Sequence, residues 1–339
     1  ASFARPRKAS RFVSESVESI KVRAASFSVA SNAFLVVAKL VIGILIGSVS
    51  VVSEAIHSAV DLLAAVIAWF AVRVSGQPAD KQHPYGHGKY ENLSGAIEAA
   101  LIFFAAIWIV WEAVVKLRHG GEVEAPGWGM LVMGVSASLN FVVSAYLMKV
   151  GKKTDSLALQ ADAWHLRTDV WTSAGVLGGL AIIWVGKLVA PSVNLYWVDP
   201  VAAILVALLI AHASWELTRQ ATGGLLDEAL PEDDISYIRK TALDTKPIRS
   251  LHDLRTRKSG PERFIDAHVA VPYELNVLEG HDTGKEFKGI LREHWPMSQI
   301  NIHVDPCDGS CKPPCLSGCL LTESDRTELH AAWADRKRN

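Results

Sequence analysis

The chain has 339 residues, 50% of them hydrophobic and 20% charged, and this apolar content is concentrated in the first two thirds, which excludes an ordinary soluble protein there. A formal net charge of −1 leaves no basic footprint of the kind that binds nucleic acid. All four cysteines lie in the last part of the chain, so the sequence is not that of a disulfide scaffold.

The leading segment is basic, with Arg5, Arg7, Lys8 and Arg11, and lacks the form of a cleavable signal. Six apolar stretches follow, at 24–46, 51–74, 92–115, 128–149, 157–185 and 197–217, each near the roughly 20 residues that cross a bilayer. The first two are joined by a few uncharged residues around Gly47 and Ser48, which predicts a tight helical hairpin. Trp108, Trp111, Trp128, Trp184 and Trp197 fall near the ends of apolar runs, as suits a membrane-interface belt. Lys81, Lys89, Lys152 and Lys153 share a side with the basic N-terminal segment, whereas the opposite loops hold mainly Lys116, Arg118 and Lys187. The positive-inside rule then places both termini in the cytoplasm.

After Asp227 the composition becomes that of a soluble domain. Its pattern predicts a helix over 233–244, strands over 250–258 and 262–271, a helix over 277–294 and a strand over 299–305. This αββαβ order suggests an α+β fold of ferredoxin-like type. Alternation over 299–305 sends Ile300, Ile302 and Val304 to the core, so His303 and Asp305 project together on the other face. The expected organisation is an N-terminal cytoplasmic segment (1–20), a six-helix transmembrane domain (21–226), a cytoplasmic ferredoxin-like domain (227–306) and a cysteine-containing tail (307–339).

Two matching motifs carry the chemistry. His57 and Asp61 in the second apolar stretch, and His165 and Asp169 in the fifth, each place an imidazole and a carboxylate about one helical turn apart on one face. Ionisable groups at membrane depth are costly and face a partner or a water-filled path. A lone such residue often only hydrogen-bonds a neighbouring helix, but two copies of one motif on separate helices point to a four-ligand N/O site for a divalent transition metal such as zinc. Imidazole must be neutral and carboxylate ionised to bind metal, so metal entry releases protons and protonation ejects metal. The reference imidazole pKa, about 6.5, lies where pH gradients operate. A shell of four protein ligands leaves no position for the water of hydrolytic zinc, which favours binding and release over catalysis, and the absence of an HExxH motif weakens an intramembrane protease. Asn32 and Asn140 read as interhelical hydrogen-bonding groups rather than ligands.

The chain resembles the cation diffusion facilitators, proton-coupled exporters of divalent metals, from the first hairpin onward. The residues that carry the resemblance are the paired motifs, the loop from Asp80 through His83, Pro84, Tyr85, Gly86 and His87 to Lys89, the Val198-Asp199-Pro200 entry to the last span, the Leu226-Asp227 exit, and the run beginning His252-Asp253-Leu254-Arg255-Thr256. The resemblance implies a transport site at His57, Asp61, His165 and Asp169 and a loop site at Asp80, His83 and His87, although that loop also has plain turn chemistry. It further implies a homodimer with cytoplasmic metal sites at His252, His268, His281, His303 and Asp305, and an ion pair of Lys89 with Asp227 that ties the dimer together at the membrane boundary. Histidine at 57, where the better-known bacterial pattern has aspartate, resembles the zinc-preferring branch and argues against broad cadmium transport.

Cys307, Cys311, Cys315 and Cys319 recur at regular spacing, but Pro313 and Pro314 oppose a continuous helix. A thiolate metal site and a reduced, disordered tail are both open readings of this segment, and the charged end beyond Ser324 reads as solvated helix or disorder. The expected function is export of Zn2+ across a bacterial plasma membrane in exchange for protons, with zinc also regulatory in the cytoplasmic domain. The alternatives are an exporter of Fe2+, Mn2+, Cd2+ or mixed metals, and a membrane-anchored metal sensor or assembly protein that does not transport.

Overall fold

The structure, a computed structural model, describes residues 6–47, 49–119, 128–189 and 197–338. The chain divides into two compact units, one of residues 15–225 and the other of residues 226–338 together with residues 6–14.

The first unit is built from six long helices, α1 (Pro6–Ile46), α2 (Val49–Ser75), α3 (Lys89–His119), α4 (Trp128–Thr154), α5 (Leu157–Val189) and α6 (Val198–Leu225). Long apolar runs become helices because away from water only an internal hydrogen-bond ladder satisfies the backbone. Among the described residues, four stretches are long and apolar enough to cross a membrane: Val17–Leu45, Ala55–Ser75, Lys89–Arg118 and Pro200–Leu225. Among the described residues α4 and α5 supply none; α5 carries Asp162, His165, Arg167 and Asp169 in its first half.

This unit exposes large apolar side chains and buries polar and charged ones beside its apolar core. Phe34, Leu45, Phe104, Trp108 and Trp215 are exposed, whereas Lys21, Ser28, Asn32, Lys39, Asp61, Glu91, Glu98 and Asp162 are buried. That reverses the distribution of a soluble protein and suits a lipid exterior. The expected α1–α2 hairpin is present: Gly47 turns the chain at φ +69°, a conformation only glycine takes cheaply. A Cβ on Gly43 would lie 2.8 Å from Val52 Cγ2, so the two helices approach closely beside the turn. Asp155, at φ +54°, turns α4 into α5, with Ser156 N donating to Gly151 O at 2.9 Å. One apolar cluster joins α1, α2, α4 and α5 through Ala24, Val72, Leu147 and Leu159, and another joins α3, α5 and α6 through Ile102, Ala161 and Ile210.

In the second unit, α7 (Glu232–Asp244), β1 (Ser250–Ser259), β2 (Glu262–Pro272), α8 (Val277–His294) and β3 (Ser298–Cys307) follow in the expected αββαβ order, with strands slightly longer than the alternation alone indicates. The sheet order is β1-β2-β3, with β1 and β2 antiparallel and β2 and β3 parallel, so α8 serves as the crossover. Asn276 and Glu279 form a capping box at its start. A Cβ on Gly284 would lie 3.0 Å from Val304 Cγ2, so α8 lies close upon β3. Ile265, Ala267, Val269 and Ile300 pack with Ile238, Phe287 and Leu291 on one sheet face, leaving the other to polar side chains.

The tail is folded, which removes the disordered alternative for it. α9 (Pro313–Ser317) begins with the two prolines, whose missing N–H groups cost nothing in a first turn, and α10 (Glu323–Arg338) follows.

Candidate functional site

The two motifs meet. His165 Nε2 lies 3.2 Å from Asp61 Oδ1, and His57 Nε2 lies 3.9 Å from Asp169 Oδ1. Each imidazole therefore faces the carboxylate of the other helix, the pairing expected where α2 and α5 run antiparallel. His57, Asp61 and Asp169 each offer a ligand atom within 4.8 Å of the others. The site is graded in burial: Asp61 and His165 are buried, whereas the His57 side chain is 61% exposed. It thus has a closed end and an accessible end. Two nitrogens and carboxylate oxygens at these separations form a donor set that a small divalent cation can draw together.

Sequence reasoning missed the polar groups behind this site. Glu98 on α3 and Asp162 on α5 are fully buried; they interact electrostatically with each other and with His165. Glu98 Oε1 accepts from Ser94 Oγ at 2.9 Å. Lys39 Nζ donates to Ser58 Oγ, beside His57, at 2.9 Å. Asn32 Nδ2 donates to Ser28 O within α1, a bond inside its own helix rather than the interhelical one expected. Elsewhere in the unit, Lys21 Nζ lies 2.8 Å from Glu91 Oε1, with both side chains buried, and Glu91 also accepts from Ser75 and Ser156. This network pins α1, α2, α3 and the start of α5. The legible signal was the spacing: Glu91, Ser94 and Glu98, like Asp162, His165 and Asp169, recur every three or four residues and so share a helical face.

The loop triad also assembles. His83 Nδ1 lies 3.4 Å from Asp80 Oδ1 and His87 Nε2 lies 3.5 Å from Asp80 Oδ2, with a ligand atom of each within 4.8 Å of the others. Gly86, at φ +83°, makes the turn that returns His87 toward His83. Backbone amides fix the carboxylate: the His83 N–H donates to it at 2.6 Å and that of Gln82 at 2.8 Å. These bonds, the one from His83 foremost, hold the Asp80 carboxyl below the usual carboxylate range.

In the second unit His252, His268 and His303 stand opposite one another across β1, β2 and β3. Asp305 is their hub: Oδ2 lies 2.9 Å from His268 Nδ1 and 3.4 Å from His252 Nε2, and Oδ1 lies 3.2 Å from His303 Nε2. Asp253 forms a second triad with His252 and His268. It was missed because strict alternation would send it to the opposite face; a register shift between His252 and Arg255, with Asp253 at φ +48°, turns it back. His281 lies exposed on α8 and joins none of the metal-capable groups among the described residues. Lys89, at the start of α3, donates to Leu225 O at 3.2 Å, and Asp227 lies 3.5 Å from Arg257.

Cys307, Cys311, Cys315 and Cys319 are all unpaired and partly buried. Burial pushes the Cys307 and Cys311 thiols above their ordinary value, and Cys315 beside them adds to the shift.

The apolar exterior and long apolar helices define a multi-pass membrane protein, and the facing histidine and aspartate pairs are its candidate cation site. The family model for the cation efflux transmembrane domain matches residues 25–226, and that for the cation efflux protein cytoplasmic domain matches 230–307. The chain belongs to this family, the cation diffusion facilitators, and is a cation efflux transporter rather than an enzyme. An uncharacterised transporter of Synechocystis is 34% identical over 77% of this chain and 83% of its own length. An uncharacterised transporter of Methanocaldococcus jannaschii is 31% identical over 83% and 96%, and the cation-efflux pump FieF of Serratia proteamaculans is 31% identical over 84% and 92%. A solved structure of CzrB, a zinc-transporter candidate, in its zinc form is 33% identical, with a TM-score of 0.24, covering 25% of this chain and 98% of that one.

Proposed function

We infer that the protein exports zinc in exchange for protons, with the ion held by His57, Asp61, His165 and Asp169. The observation that carries this reading is the reciprocal pairing of each histidine with the aspartate of the facing helix. Neutral imidazole and ionised carboxylate bind zinc; protonating them from the other side of the membrane releases it, so one site can serve two opposed fluxes in alternation. Two nitrogen donors favour zinc over manganese, which prefers an all-oxygen shell. In this reading all six helices cross the membrane, both termini are cytoplasmic, the membrane is a bacterial plasma membrane, and the αββαβ unit is ferredoxin-like and dimerises two copies. Asp305 with His252, His268 and His303 presents the donor chemistry of a resident zinc site, in keeping with a regulatory role. Asp80, His83 and His87 would hold a further ion. His281 would take part only if a second copy brought it to the site.

Competition flux into proteoliposomes tests the choice of metal. Zinc should be transported in preference to cadmium, manganese and ferrous iron. Manganese or ferrous iron transported ahead of zinc would replace this reading with that of an exporter of the preferred metal.

A further inference from the structure

We propose that Cys307, Cys311, Cys315 and Cys319 form a thiolate site for a divalent cation of zinc's class, separate from the histidine row of the sheet and adjoining it. All four cysteines of the chain fall in this segment, and all four line one cavity of about 310 Å³ whose wall also includes His252 and Asp305. Half-buried cysteines often serve only as small apolar fillers. Here the cavity wall also holds Asp308, Lys312 and Arg326, a polar setting that filler does not need.

The segment is held from two sides. Toward β1, Leu251 N donates to Gly318 O and Leu320 N donates to Arg249 O, both at 2.9 Å, while Ser250 Oγ donates to Cys315 O at 2.9 Å. Any side chain at Gly318 would collide with Leu251 O, which a Cβ would meet at 1.7 Å. Toward α10, Arg336 donates to Asp308 O at 2.7 Å, and a Cβ on Gly309 would lie 2.5 Å from Leu329 O. Between these clamps Cys311 adopts φ +48°, a conformation that costs a non-glycine residue energy and persists only where its surroundings impose it. The prolines that prevent a continuous helix restart the chain at Pro313, which returns Cys315 to the cavity that Cys307 and Cys311 line.

Two cations oppose the rise that burial imposes on these thiols. The Arg249 guanidinium lies against Cys307, and Arg326 acts electrostatically on Cys311. The thiols do not form a closed triad of the kind made by His268, His303 and Asp305 among the described residues, so metal capture draws the segment inward. Four thiolates are a complete tetrahedral shell for zinc and bind cobalt and cadmium in the same way.

The test uses the full chain, reduced and in detergent, titrated with Co2+ and followed by sulfur-to-metal charge-transfer absorption. The proposal predicts a saturable sulfur band that survives in His268→Ala/His303→Ala and disappears when all four cysteines become serine. In the unmodified chain, one equivalent of zinc bound there should slow alkylation of the thiols at least tenfold, and a chelator should restore the rate. This second readout does not depend on the folding of a variant. No sulfur band from fully reduced protein, or alkylation at the same rate with and without zinc, overturns the proposal. Neither result bears on the transport site, which contains no sulfur.

Discussion

Removing the Asp61 carboxylate takes from the site the group that His165 faces at 3.2 Å and leaves a buried imidazole without its charge partner. In the proposed site, loss of one of four ligands also leaves the ion's dehydration uncompensated. Asp61→Ala and Asp169→Ala should therefore each lower zinc flux on the order of 100-fold or more while the protein remains folded and monodisperse; outer-shell changes alone commonly cost roughly 10–100-fold. Near-normal flux in either variant would remove the residue from the ion path. His57→Asp exchanges a nitrogen donor for a harder, anionic oxygen and should raise cadmium or manganese flux relative to zinc in competition assays. An unchanged order of preference would place selectivity elsewhere. These four residues were legible in the sequence because two copies of one spacing stand out in apolar runs. Glu98 and Asp162 share a helical face with other polar residues of α3 and α5, but only the facing helix shows that they sit behind His165.

Between elements, the buried Lys21–Glu91 pair with its serine partners acts as a pin through α1, α2, α3 and the start of α5. Removing one member of a buried pair costs about 3–5 kcal/mol where it leaves the other charged and unsatisfied, whereas replacing both by apolar groups is often neutral; Lys21 keeps Glu18 at 2.9 Å, so the loss of Glu91 falls at or below the lower end of that range. Glu91→Ala should accordingly lower the thermal midpoint clearly, and Lys21→Met/Glu91→Leu should recover most of the loss. A single variant as stable as the parent would show that the pin contributes little. Long-range pairing of this kind cannot be read from spacing, because nothing in the chain between residues 21 and 91 indicates which helices will touch. The sheet was more legible: alternation over β3 placed Ile300 in the core and His303 with Asp305 on the opposite face. The register shift in β1 that brings Asp253 to His252 left no comparable trace. The tail also exceeded its sequence reading, because α10 and the edge of β1 supply the contacts that order a segment rich in proline and glycine.

At the scale of the whole molecule, a metal bound to the folded state adds stability by mass action, about 2.7 kcal/mol at a concentration 100 times the Kd. Zinc should thus raise the thermal midpoint of the full chain, and His268→Ala/His303→Ala should reduce that rise, as followed by scanning calorimetry across a zinc titration. A rise equal to the parent's would show that the histidine row is ordinary surface. The central claim is that one intramembrane constellation exchanges metal for protons, and it is tested most directly by recording zinc entry and internal pH together in the same proteoliposomes. The account predicts that zinc influx is accompanied by proton efflux, that an imposed pH gradient drives zinc uphill, and that Asp61→Ala abolishes both movements together. Zinc flux that persists in Asp61→Ala, or that proceeds without proton countermovement, would contradict it.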